Sequence, residues 1–119
     1  MGNPGILERL RESSKSRVLR WHGKRGVNDW NVLEWSGAAA GELGEACNVA
    51  KKIKRLDTKL ARRKNESNRK KLVKKLADEI ADTIIYLDLL ALREEINVPK
   101  AIISKFNRTS KKFGFPERL

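Results

Sequence analysis

Leu76-Ala77-Asp78-Glu79-Ile80-Ala81-Asp82-Thr83-Ile84-Ile85-Tyr86-Leu87, running on into Asp88-Leu89-Leu90-Ala91-Leu92, is the stretch on which the fold turns. Its apolar residues recur at three- and four-residue steps, which is the period of one helix face and not the alternation of a half-buried strand. The spacing predicts a helix from about Arg69 to Ile96, with Leu72, Val73, Leu76, Ala77, Ile80, Ile84, Leu87 and Ala91 as its inner stripe. From Thr83 to Leu92 only Tyr86 and Asp88 interrupt the apolar side chains, so they point in nearly every direction. A helix apolar all round is buried all round, and in so thin a chain that calls for a second subunit. Ile85 and Leu89, outside the inner stripe, are the expected subunit contacts.

Outward from that helix, Asn97-Val98-Pro99 ends it and opens a short one over 100–112, which Gly114 stops. Upstream, Asn65-Glu66-Ser67-Asn68 reads as a break. Before it, a helix from about Asn31 to Arg55 carries Leu43, Ala46, Cys47, Ala50 and Ile53 at helical steps. Gly37, Gly41 and Gly44 each cost a helix roughly 1 kcal/mol relative to alanine, which predicts close approach of another backbone. A first helix from about Pro4 to Trp21 and a loop over His22 to Asp29 complete the chain. Strand patterns are missing, so the expectation is an all-α fold, and 119 residues make one domain by size.

The net charge of +12 suggests nucleic acid until it is located. Between Lys51 and Lys75 stand 13 Lys and Arg against two acids, Asp57 and Glu66, whereas the rest of the chain is nearly balanced. The charge belongs to a basic connector at about 54–71 and its flanks. Such a segment binds a polyanion or is a solvated helical connection. No apolar run approaches the roughly 20 residues of a membrane span, and no signal peptide is read, so no membrane partner is expected. The single cysteine, Cys47, forms no internal disulfide, which fits a reducing cytoplasm.

Glu42-Leu43-Gly44-Glu45 and Glu79-Ile80-Ala81-Asp82 each put two carboxylates three residues apart, on one helix face. Like charges at that spacing repel, and both pairs lie beside apolar stripes, so a cation is expected between them. Four carboxylates from two facing helices suit a hard divalent ion such as Mg²⁺, with Mn²⁺ as a substitute. Lys52 lies seven residues after Glu45, and Tyr86 seven after Glu79, which returns each to the face of its acid. A metal nest with a lysine and a phenol beside it suits a nucleoside triphosphate. Ordinary surface acids with salt-bridge partners produce the same spacing.

Ala39-Ala40-Gly41-Glu42-Leu43-Gly44-Glu45-Ala46, the stretch Leu76 to Leu87, Lys105-Phe106-Asn107-Arg108 and Phe113-Gly114-Phe115-Pro116 together resemble the MazG-type nucleotide pyrophosphohydrolases, over about Trp30 to Leu119. The resemblance implies an all-α four-helix bundle assembled as a homodimer or homotetramer. It also implies Mg²⁺-dependent hydrolysis of nucleoside triphosphates to the monophosphate and pyrophosphate. The family's signature is Glu-Glu-x-x-Glu followed by Glu-x-x-Asp, and Gly41 stands where its first acid would be. By resemblance Glu42, Glu45, Glu79 and Asp82 are the metal ligands. Lys105 and Asn107, with Lys52 or Lys51, touch phosphate or sugar by the same reasoning. Glu45, ahead of Glu42, is the expected activator of the attacking water.

Trp21, Trp30 and Trp35 bracket the loop before the first acid pair, and each reads more readily as core; Trp30 is the best candidate for a nucleobase contact. His22 reads as a solvated loop residue and Cys47 as core. Two other functions fit the composition: a nucleic-acid-binding helical module using Lys51 to Lys75, and an oligomer of the same fold that has lost its chemistry.

Overall fold

A computed structural model describes residues 2–58 and 66–119, the Glu66 side chain excepted. Among these residues there are four helices, α1 (Ile6–His22), α2 (Val32–Asp57), α3 (Glu66–Arg93) and α4 (Val98–Phe113), a 3₁₀ segment Gly23–Asp29, and no strand. The protein is all-α. No described helix is long and apolar enough to cross a membrane. The chain divides into two compact units, Met1–Val32 with Asp88–Leu119, and Leu33–Leu87.

In the second unit, α2 and α3 run antiparallel. Trp35 meets Tyr86 with ring centroids 6.3 Å apart, and Asp57 Oδ1 accepts from Arg69 Nε at 2.7 Å, so rising numbers on α2 face falling numbers on α3. The residues of α2 withdrawn from solvent include Trp35, Ala39, Glu42, Ala46, Val49, Ile53 and Leu56, alternating steps of four and three. On α3 the matching line is Leu72, Leu76, Glu79, Thr83 and Tyr86. This is the seam of two packed helices. Trp35 and Val49 are its most completely buried side chains.

Of the expected inner stripe of α3, Leu72, Leu76 and Ala91 are withdrawn from solvent, and the rest is displaced by one residue. Val73, Ala77, Ile80, Ile84 and Leu87 form a second line at the same steps, and it is exposed, with Leu87 at 49%. Ala40, Leu43, Cys47 and Ala50 do the same on α2, which corrects the placement of Cys47 in the core. A Cβ built on Gly37, Gly41 or Gly44 meets nothing within 4 Å, so among the described residues no backbone makes the predicted close approach. Ser67 and Asn68, read as a break, lie in the first turn of α3; Asn65 is outside the described residues.

In the first unit, Gly26 adopts φ +54° against α1, where a Cβ would fall 3.0 Å from the Leu19 side chain; both features require glycine. Asp88, 3% exposed, accepts from Arg11 Nη2 at 2.9 Å and Nε at 3.2 Å, and Nη2 also donates to the Ile96 carbonyl at 2.8 Å. Leu89, expected at a subunit contact, is buried here. Helix α3 stops three residues earlier than predicted because Ile96 N–H donates to the Ala91 carbonyl and Glu95 N–H to that of Leu92. That closing motif places Glu95 at φ +56°, a position that favours glycine. The same motif ends α4 with Gly114 at φ +71°, as the sequence predicted. Asn97 caps α4, its side chain accepting from Lys100 N–H at 3.1 Å.

Candidate metal centre

The seam of α2 and α3 gathers acids at one level. There Glu42 and Glu79 occupy seam positions and are half-buried, and Asp82, one turn on from Glu79, is exposed beside them. One carboxylate oxygen from each of the three lies within 4.8 Å of the other two. Partial burial is the first cause pushing the Glu42 carboxyl above its ordinary value. The neighbouring carboxylates of Asp82 and Glu79 come next, followed by a hydrogen bond with the Glu79 side chain, and Glu45 contributes least. The like charges around it thus add to burial in making the Glu42 carboxylate costly to ionise.

Three of the four predicted ligands thus come together. Glu45 is exposed and stands outside the group, because it precedes the seam residue Ala46 by one position. The donor set is all hard oxygen, with no histidine or thiolate to select a softer metal, which fits Mg²⁺ or Mn²⁺. Thr83, a seam residue that the sequence reading passed over, donates its hydroxyl to the Glu79 carbonyl at 2.7 Å. Its spacing of four from Glu79 was the available signal.

The remaining predicted contacts are dispersed. Tyr86 is half-buried against Trp35, whose ring is core as expected. Lys51 and Lys52 are exposed, and Lys52 lines a separate groove together with Arg55 and Lys71. Trp30, Lys105 and Asn107 belong to the other compact unit. Trp30 is half-buried, with its ring set edge-on to His22 at 4.8 Å and its carbonyl accepting from Arg93. Lys105 is exposed. Asn107 accepts from the Leu119 N–H at 2.8 Å and donates to the Leu119 carbonyl at 3.4 Å. His22 is not solvated: its Nδ1 lies 3.1 Å from Asp29 Oδ2. Trp21 is not core; it is 64% exposed, with the Arg17 guanidinium 5.0 Å from its ring centre. Comparison of the chain with family models, with curated proteins and with solved structures finds no match.

Proposed function

We propose that the chain is a Mg²⁺-dependent nucleoside triphosphate pyrophosphohydrolase of MazG type, releasing pyrophosphate and a nucleoside monophosphate. The observation that carries this reading is the placement of Glu42 and Glu79 in the helix seam, converging with Asp82 on a space within 4.8 Å. Like charges brought this close repel one another, and a cation between them would relieve that repulsion.

Glu42, Glu79 and Asp82 would hold the metal. Bound there, Mg²⁺ supplies charge neutralisation on the phosphates and lowers the pKa of water. Glu45, exposed one turn along α2 from Glu42, is free to take a proton from the water that attacks the α-phosphorus as the bond to the β-phosphate oxygen breaks. Lys51, further along the same helix and exposed, attracts the substrate's negative charge.

The same reading makes the protein a homo-oligomer. Its support is the second apolar line on each helix, Val73, Ile80, Ile84 and Leu87 on α3 and Leu43 on α2, all 42–53% exposed within one chain. The deciding experiment incubates the protein with a panel of ribo- and deoxyribonucleoside triphosphates and Mg²⁺, and resolves the leaving group. Pyrophosphate is the expected product; orthophosphate, or no turnover with any triphosphate, overturns the reading.

A further inference from the structure

At the far end of the helix pair from Trp35 and Tyr86, α2 and α3 enclose a groove of about 440 Å³ lined by Lys52, Arg55, Leu56, Asn68, Lys71 and Leu72. Three of the six are cations and none is an acid. Lys52, Arg55 and Lys71 make no ion pair among the described residues. Asp57, the nearest acid in α2, is instead engaged by Arg69 through Nε at 2.7 Å and Nη2 at 3.2 Å. Among the described side chains, the fold thus neutralises Asp57 and leaves the cations of the groove facing solvent.

The groove is also distinct from the carboxylate cluster. Lys52 lies ten residues beyond Glu42 on one continuous helix, a rise of about 15 Å. From this we propose that the groove binds the backbone of single-stranded nucleic acid.

Three features favour a strand over a free phosphate ion. The cations continue past the groove, with Lys51, Lys54, Lys70, Lys74 and Lys75 exposed on the same two helices, so a chain of phosphates gains contacts that one phosphate cannot. Leu56 and Leu72 give the floor an apolar surface suited to a sugar or base face. The volume is that of a small-molecule site, enough for one nucleotide unit and too small for a duplex. Asn68 is the only lining side chain carrying both a donor and an acceptor, so contacts to phosphate dominate and sequence preference is weak.

The test measures fluorescence anisotropy of a labelled single strand of about 16 nucleotides with the full chain, in chelator, across a salt series. Chelation separates this site from the proposed metal centre: failure of strand binding leaves the triphosphate assay untouched, and the reverse holds. Lys52→Gln/Arg55→Gln/Lys71→Gln is compared with Lys24→Gln/Lys100→Gln/Lys111→Gln, which removes equal charge elsewhere; circular dichroism checks that both are folded. The expected result is a loss of affinity of about tenfold or more and a salt slope shallower by about 2 in the groove variant only. Equal losses in both variants overturn the site, as does absence of binding at low salt. Tighter binding of the matching duplex overturns the single-strand assignment, and so does displacement of the strand by equimolar inorganic triphosphate.

Discussion

Asp88 and Glu79 stand nine residues apart on α3, both withdrawn from solvent, and their surroundings are opposite. Asp88 is met by the Arg11 guanidinium through both of its oxygens, and Arg11 in turn is held by the Ile96 carbonyl. Glu79 is met by Glu42 and Asp82, two further acids. One helix thus carries a closed charge and an open one. A buried ion pair that is complete ties segments together, whereas a cluster of one sign is a standing demand for a counter-charge. The contrast separates an acid paired with a cation of the fold from acids gathered with their own sign.

The sharpest way to break the contrast is to open the closed pair. Arg11→Met leaves the Asp88 carboxylate buried and unpaired, which should cost about 3–5 kcal/mol in urea unfolding. Arg11→Met/Asp88→Leu should recover most of that loss. A cost below about 1 kcal/mol for the single variant would show that Asp88 reaches water and that the pair is no strut.

Glu79→Gln tests the other side. Removing one charge from the open cluster should lower Mg²⁺-dependent turnover by at least about 100-fold while metal-free stability is unchanged or rises by a few tenths of a kcal/mol. Full activity in both Glu79→Gln and Asp82→Asn would end the assignment of this cluster. Next in size, Ile84→Lys charges the exposed line of α3 without touching the seam. Sedimentation should then show a protomer of 13.6 kDa in place of the wild-type oligomer. A monomeric wild type at micromolar concentration breaks the oligomer reading.

The helices were legible because three- and four-residue steps survive in them; which line faces inward was legible only in part, at Ala46 and Ile53 of α2 and Leu72, Leu76 and Ala91 of α3. Helix α3 carries two lines offset by one residue, and the more apolar one, with Val73, Ile80, Ile84 and Leu87, attracts a reading based on hydrophobicity. The true seam takes Glu79, Thr83 and Tyr86, whose polarity disguises it. For the same reason the acids were legible as pairs while their seam positions were hidden, and Glu45 was grouped with residues it does not join. Ile85 and Leu89 were misjudged together with the stripe: Leu89 is buried and Ile85 half-buried within the chain. Nothing local could announce the Arg11 and Asp88 pair, since 77 residues separate them. Arg62, Arg63 and Lys64, in the middle of the basic connector, lie outside the described residues.

The smallest effect concerns protons. Glu42 has a carboxyl pKa raised in the folded protein, so the native state holds its proton more tightly than the unfolded chain does. Across the window from the ordinary carboxylate value up to the raised one, the native state binds more protons, and stability must fall as pH rises. The contribution is fully present below the unfolded value and lost once pH has passed the folded one. In chelator, the free energy of unfolding of the wild type measured from about pH 4 to about pH 7 should decline relative to Glu42→Gln, which lacks that titrating carboxyl. Saturating Mg²⁺ should reverse the sign, because a metal binds the ionised carboxylates and stabilises the native state in proportion to its occupancy. An identical pH profile for wild type and Glu42→Gln, with and without Mg²⁺, would mean that its acidic neighbours do not raise the Glu42 carboxyl, and the contrast with the closed pair at Asp88 would lose its basis.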